Sequence, residues 1–155
     1  DVALANGFGQ RFMGAAFADS DGDGDVDVVA FSTPTQFAIH RLQNGVDAGQ
    51  VFSYPATLGH RVAFGDINGD GVPDAYFVQR GCSTASEGNL PDIVAVSNGS
   101  GWEVWHPPAL DRGCGDGVVA FDHDGDGIDG FVVGNGRGRN GPLQYLVAPP
   151  PPPGC

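Results

Sequence analysis

One pattern occurs three times in this chain: a short apolar segment, a loop rich in Asp and Gly, and a second short apolar segment. The copies read AAFADSDGDGDVDVVAF from residue 15, VAFGDINGDGVPDAYFV from residue 62 and VAFDHDGDGIDGFVV from residue 119. A recurring segment of this kind marks one supersecondary unit, and neighbouring units bury a continuous core by stacking. The pattern therefore predicts about three stacked units.

The apolar segments have the composition of β-strands. They are four to seven residues long, rich in Val and Phe, and bounded by Gly, Asn or Pro. The chain also contains 26 Gly and 12 Pro, a composition that argues against a helical bundle. We therefore predict an all-β chain. The predicted strands lie near residues 2–5, 15–18, 26–32, 36–42, 51–54, 61–65, 74–79, 92–97, 101–106, 118–121, 130–133 and 143–147.

Asn-Gly turns divide the chain into units. Turns at Asn6, Asn44 and Asn98 give a β-repeat domain over residues 1–147, with units of roughly 6–43, 44–97 and 98–147. Residues 148–155 form a tail that contains five consecutive prolines and ends in Cys155. Consecutive prolines adopt the polyproline II conformation, so the tail is expected to be a rod-like spacer or a ligand for a proline-binding domain.

The negative charge is concentrated in the three loops. The chain has 19 acidic residues, seven arginines and no lysine, for a net charge of −12. Twelve of the acidic residues lie in loop 1 (19–27), loop 2 (66–74) and loop 3 (122–129). Clusters of like charge repel, and bound divalent cations would offset that repulsion. So acidic a chain lacks the basic surface that nucleic acids and anionic membranes require, and no apolar run is long enough for membrane insertion.

The loop spacing fits calcium. Calcium binds six to eight hard oxygens, and carboxylates at alternate loop positions with Gly between them can surround one ion. Positions one, three, five, seven (through its carbonyl) and nine are the predicted ligands. In loop 1 they are Asp19, Asp21, Asp23, Asp25 and Asp27. In loop 2 they are Asp66, Asn68, Asp70, Val72 and Asp74.

Two other interpretations fit the loops less well. An EF-hand needs a Glu at position twelve between two helices, whereas these loops have Ala30, Phe77 and Val133 there and are flanked by strands. Solvated acidic turns would leave the threefold recurrence of Asp, Gly and flanking Phe unexplained. We therefore predict calcium sites.

The D-x-[DN]-G-D-G-x-x-D loops between short strands, preceded by Phe and followed by a strand and Asn-Gly, resemble FG-GAP/VCBS repeats. These repeats are the blades of integrin α-type β-propellers and related propellers, so the resemblance implies antiparallel blades with calcium loops. It carries calcium roles onto loops 1 and 2. Loop 3 departs from the family pattern, because Asp122, Asp124 and Asp126 match while a missing residue leaves Ile128 at position seven and Asp129 at position eight. That predicts a weaker or reshaped third site.

Three units are too few for a closed ring, since propellers typically have four to eight blades. The chain is therefore expected to be a partial propeller: part of a larger one, one completed by oligomerisation, or an open array. Residues 1–7 align with 92–99 and with 130–136, the strand after an Asp loop, so the chain is expected to start within a repeat. A start without Met fits a processed secreted protein or a segment of a longer one.

The cysteines fit no zinc spacing. A Cys82–Cys114 disulfide would close a loop of about 30 residues and contribute about 3 kcal/mol on a chain-entropy model. Cys155 would remain for an intermolecular bridge or tether, unless it is the scar of a tag or truncation.

Trp102 and Trp105 are candidate glycan contacts, and Asn98 begins an N-glycosylation sequon.

No nucleophile elbow, phosphate loop or acid-base pair occurs outside the calcium loops, so no catalytic residue is predicted. The expected function is an extracellular or cell-surface calcium-binding module for structure or adhesion, which associates with itself, with other subunits or with a filament. One alternative is a carbohydrate-binding propeller lectin. Another is a fragment of a larger secreted hydrolase or lyase.

Overall fold

The computed structural model of the chain describes residues 11–80, 91–98, 100–107, 115–135 and 143–146. All regular structure in these residues is β, in three separate antiparallel sheets. No helix long and apolar enough to cross a membrane is found in this part of the chain. The prediction of an all-β protein is confirmed.

Sheet 1 contains four antiparallel strands in chain order: β1 (Gly14–Ala18), β2 (Val28–Ser32), β3 (Gln36–Gln43) and β4 (Val46–Pro55). A tight turn at Asn44 and Gly45 joins β3 to β4, and both residues have positive φ, at 52° and 73°. This is the backbone conformation that an Asn-Gly hairpin turn requires.

Sheet 2 repeats the four-stranded arrangement, and sheet 3 has three strands. Sheet 2 contains β5 (Gly59–Gly65), β6 (Asp74–Gln79), β7 (Ile93–Ser97) and β8 (Trp102–Trp105), again in chain order. Sheet 3 contains β9 (Gly115–Phe121), β10 (Gly130–Asn135) and β11 (Gln144–Leu146), with β10 in the centre. The first strands of the three sheets lie side by side, β1 against β5 and β5 against β9.

Sheet 2 is packed between the other two sheets. Successive side chains of a strand point to opposite faces, and β6 has both faces buried. Ala75 and Phe77 belong to an apolar cluster with sheet 1, whereas Tyr76 and Val78 belong to a second cluster with sheet 3. This double burial explains why β6 reads as a continuous apolar run. Stacked antiparallel sheets with adjacent first strands are the arrangement of propeller blades, and the described sheets do not close into a barrel.

Aromatic rings contribute much of the packing between sheets. Phe77 is fully buried and stacks on Phe37 of sheet 1, with ring centroids 4.8 Å apart. Between sheets 2 and 3, Tyr76 contacts Phe131 at a centroid distance of 5.1 Å. Large buried side chains of this kind supply most of the apolar free energy of such an interface.

The sequence-based strands agree with the described ones within a few residues, apart from two. Strand β4 begins at residue 46 rather than 51, and β9 begins at residue 115 rather than 118. The Asn44 turn joins two strands of sheet 1, so the unit boundary predicted at Asn44 falls within a sheet and not between two sheets. The predicted strand at 2–5, the three cysteines and the proline tail lie outside the described residues.

We predict that Phe77→Ala lowers the free energy of unfolding by about 3–5 kcal/mol, because it removes a buried ring between two sheets. Val46→Ala is the control, since Val46 is 56% exposed on β4 and its truncation should change the free energy by less than about 0.5 kcal/mol. Urea unfolding of the two variants measures both values. A small loss for Phe77→Ala would contradict the stacking of sheets 1 and 2.

Candidate metal centre

Each acidic loop connects the first two strands of a sheet. Loop 1 joins β1 to β2, loop 2 joins β5 to β6, and loop 3 joins β9 to β10. Because β1, β5 and β9 lie side by side, the hairpin topology places the three loops at the same end of the stacked sheets. The sequence repeat is therefore also a spatial repeat.

The first aspartate of each loop accepts hydrogen bonds from the backbone of its own loop. In loop 1, the N–H of Gly22 donates to Asp19 Oδ1 and the N–H of Gly24 donates to Asp19 Oδ2, both at 2.7 Å. The same pair of bonds runs from Gly69 and Gly71 to Asp66, both at 2.7 Å, and from Gly125 and Gly127 to Asp122, at 2.7 and 2.9 Å.

The glycines at positions four and six give the loops their shape. All six have φ between 73° and 95°, a region that side-chain-bearing residues rarely adopt. The carboxylate at position five then accepts the N–H of position seven, as in the 2.8 Å bond from Asp25 to Asp23 Oδ1. The equivalent bonds in loops 2 and 3, from Val72 to Asp70 and from Ile128 to Asp126, are also 2.8 Å long. The loops thus share one conformation from position one to position seven.

Loop 1 brings three carboxylates together. Asp19, Asp21 and Asp27 each offer an oxygen within 4.8 Å of the others. Asp27, at position nine, turns back into its own loop, where its Oδ2 accepts the N–H of Ser20 at 2.7 Å and the Ser20 hydroxyl at 3.1 Å. Of the predicted ligands, Asp23 and Asp25 lie outside this group of three, and the role predicted for Asp25 uses its carbonyl.

Loop 2 closes in a similar way but buries its last carboxylate. Asp74 is fully buried, and its Oδ2 accepts the N–H of Ile67 while its Oδ1 accepts the N–H of Ser97. Burial raises the pKa of Asp74 to about 7. The hydrogen bonds from the two backbone N–H groups lower this pKa but do not offset the effect of burial. At position three, Asn68 contributes an amide oxygen, which accepts the N–H of Asp70 at 2.9 Å.

Loop 3 brings together Asp122, Asp124 and Asp126, each with an oxygen within 4.8 Å of the others. Its last acid behaves differently from those of loops 1 and 2. Asp129 Oδ2 accepts the N–H of Asp66, in loop 2, at 3.0 Å. The side chain of Ile128, whose carbonyl was the predicted ligand at position seven, lies against Gly69 of loop 2.

The donor atoms suit a hard cation. Backbone N–H groups, with Gly24 the strongest contributor, lower the pKa of Asp19, and Gly127 does the same for Asp122. The charged forms are therefore favoured, although like charges lie within 4.8 Å of one another. Grouped, largely exposed carboxylate oxygens with nearby carbonyls are what calcium binds. The residues present in loops 1 and 3 fit such an ion.

The two tryptophans lie on opposite faces of sheet 2. Trp102 is partly buried in the cluster with sheet 1, and Trp105 is partly buried in the cluster with sheet 3.

Asn98, which begins the predicted sequon, is exposed at the turn between β7 and β8. Its Oδ1 accepts N–H groups from Ser100 and Gly101, and its Nδ2 donates to Glu103 at 3.3 Å. Glycosylation of Asn98 would have to break the hydrogen bond from its Nδ2 to Glu103.

A cavity that the sequence did not reveal lies between sheets 1 and 2, beside loop 1. Its volume is about 500 Å³, and Trp102 and Arg41 line it together with the hydroxyl-bearing Ser20, Ser97 and Ser100. Asp21 and Asp27 of loop 1 form part of the same wall. These residues come from distant parts of the chain, so no local motif marks the cavity.

Comparison with known families agrees with this geometry. Residues 19–77, which span loops 1 and 2, match the family model described as an FG-GAP-like repeat. This match is consistent with the FG-GAP/VCBS repeat family and suggests a β-propeller-type module. No curated protein matches the chain. An all-β FG-GAP fold is typically a structural or binding module.

We predict that the metal-free protein loses stability as pH rises from about 4 to about 7. The ordinary pKa of Asp74 is 3.8 and its folded pKa is about 7, so the folded state keeps this proton over a range in which the unfolded chain has released it. The loss is on the order of 2–4 kcal/mol. Asp92, whose pKa burial raises to about 6, adds to the loss below that pH.

Urea unfolding of calcium-stripped protein across this pH range measures the slope. Asp74→Asn should flatten it, whereas Asp23→Asn, which removes an exposed carboxylate from loop 1, should leave it in place. Calcium should also flatten it, because a bound cation favours ionised Asp74. A slope that Asp74→Asn does not change would contradict the assigned cause.

Proposed function

We propose that this chain is an extracellular or cell-surface calcium-binding module with a structural or adhesive role, in which calcium rigidifies the loops between blade strands. The observation that carries the proposal is the common conformation of loops 1, 2 and 3, each with its first carboxylate bonded to two glycine N–H groups. Three independent copies of one oxygen-rich loop are expected of a family of cation sites rather than of incidental acidic turns.

Particular oxygens would hold the ions. In loop 1 they are the carboxylates of Asp19, Asp21 and Asp27, and in loop 3 those of Asp122, Asp124 and Asp126. In loop 2, Asp66, Asn68, Asp70 and Asp74 occupy the corresponding positions. Bound calcium would neutralise repelling carboxylates and join the two strands that flank each loop. Largely exposed loop sites suit the weak affinities of extracellular calcium modules.

Self-association is supported by the outer face of sheet 3. Val118 and Ala120 pack on sheet 2, so the alternating Val119 and Phe121 point away from it and are 59% and 45% exposed. At the other end of the stack, Phe17 at the edge of sheet 1 faces away from sheet 2 and is 50% exposed, whereas Val29, its partner on the same face, is buried. Two copies joined head to tail would contain six blades, within the range of closed propellers.

Charge makes this association depend on calcium. A chain with a net charge of −12 repels another copy, and cations bound in the acidic loops reduce that repulsion. Other extracellular subunits or a filament with a matching blade face would dock by the same chemistry. The predicted Cys155 tether would add a covalent link.

We predict a particle mass in calcium that is a discrete multiple of 15.9 kDa and that falls in EGTA. Phe121→Ser should reduce the mass in calcium because it places a polar group in the apolar contact, whereas Val46→Ser, at an exposed position of β4, should not. Light scattering, with and without reductant, measures the mass and tests Cys155. A monomer in saturating calcium would contradict self-association.

Carbohydrate binding is the second candidate, favoured by the cavity between sheets 1 and 2. Trp102 offers an aromatic ring, Arg41 a charged donor and Ser100 a hydroxyl, a mixture of apolar and polar groups that suits a sugar ring. Glycan-array binding that is lost in Trp102→Ala and kept in Trp105→Ala would support it, since Trp105 lies on the opposite face of sheet 2. No binding by the unmodified chain, or equal loss in both variants, would argue against this cavity.

A further inference from the structure

The last acid of loop 3 is bonded to the first residue of loop 2. The N–H of Asp66 donates to Asp129 Oδ2 at 3.0 Å, and the N–H of Asp129 donates to the Asp66 carbonyl at 2.7 Å. The residues are 63 positions apart in the chain. This reciprocal pair holds both backbone polar groups of Asp66, whose carboxylate organises loop 2.

Side-chain packing around the pair leaves little freedom. A Cβ placed on Gly65 would lie 2.6 Å from the Ala120 Cβ and 3.1 Å from Asp129 Oδ2, so only glycine fits there. A Cβ on Gly69 would lie 3.1 Å from Ile128, which therefore packs directly on loop 2. The neighbouring Ile67 is fully buried in the cluster shared by sheets 2 and 3. The two loops meet over a closely packed surface rather than at one isolated bond.

The shortened loop 3 explains this arrangement. In loops 1 and 2 the closing acids, Asp27 and Asp74, accept the N–H of position two of their own loops, Ser20 and Ile67. Asp129 stands one position earlier, at position eight, and its carboxylate is directed to the neighbouring loop instead. The acid that corresponds to the closing residue of loops 1 and 2 is thus bonded to the backbone of loop 2 instead of its own loop.

We propose that Asp129 is a positioning residue for the calcium site of loop 2 and not a calcium ligand of loop 3. By fixing the Asp66 backbone, it holds the carboxylate around which loop 2 is folded. Loops 2 and 3 are thereby mechanically coupled across the interface between sheets 2 and 3. The calcium part of this inference rests on the proposed function, whereas the hydrogen-bonded tie does not.

The tie is tested first without metal, by hydrogen exchange of the Asp66 amide followed by NMR in stripped protein. Asp129→Ala should speed exchange roughly tenfold or more, because it removes the acceptor. Asp129→Asn keeps an acceptor oxygen and should leave exchange close to that of the unmodified chain. Asp124→Ala, which removes a carboxylate from the same loop, is the charge-matched control and should also leave it unchanged.

The effect on calcium is tested in a background variant in which only loop 2 keeps all its predicted ligands. Loops 1 and 3 are disabled in it by four substitutions: Asp21→Asn, Asp23→Asn, Asp124→Asn and Asp126→Asn. In this background, Asp129→Ala should raise the calcium Kd of loop 2 several-fold, as loss of an outer-shell partner does, and Asp129→Asn should have little effect. Calorimetry measures both. In the otherwise unmodified chain, Asp129→Asn should not change the number of ions bound.

Two results would overturn the proposal. The first is an Asp66 amide that exchanges as fast in the unmodified chain as in an unstructured peptide, a measurement that needs no variant to fold. The second is the loss of one bound ion in Asp129→Asn with loop 2 affinity unchanged, which would make Asp129 a ligand of loop 3. If the unmodified chain binds no calcium, the proposed function fails, and the exchange measurement still decides whether the tie exists.

Discussion

The bond between the first carboxylate of each acidic loop and the glycine N–H groups that follow it is the interaction on which the rest of the molecule depends. It bends the first six residues of the loop around a single side chain, and this bend lies between the first two strands of each sheet. Glycine is needed at positions four and six because the bend has positive φ there. The hairpins and the grouped oxygens therefore have the same origin.

This arrangement creates opposing electrostatic effects. The loops collect negative charge at one end of the stack, while the sheets are held together at their faces by uncharged aromatic and aliphatic side chains such as Phe37, Phe77 and Phe131. Packing fixes where the loops stand, and their repulsion favours a bound cation. Asp74 shows the conflict most clearly, since it is both a loop carboxylate and a fully buried group with a raised pKa. A cation at that position would relieve a cost that the metal-free fold otherwise carries.

Much of the fold could be predicted from local patterns, and the differences have physical causes. Strand β6 was predicted with its observed bounds, because burial on both faces leaves a continuous apolar run. Residues 46–50 of β4 were missed because this strand lies at the edge of sheet 1 and is largely exposed there, so it needs no apolar residues. The start of β9 is glycine because a side chain at Gly115 would collide with Val78, a neighbour that no local pattern reveals. The loop shape was predictable from Asp and Gly spacing. The contact from Asp129 to Asp66 was not, since it depends on how two sheets stack.

Calorimetric titration of calcium into stripped protein tests the central claim most directly. The account predicts binding at more than one site per chain, with Asp19→Asn and Asp66→Asn each removing one site and leaving the others. It also predicts a higher unfolding temperature in calcium, since an ion that binds only the folded loops stabilises them. No heat of binding at millimolar calcium, with an unfolding temperature that EGTA does not change, would contradict it.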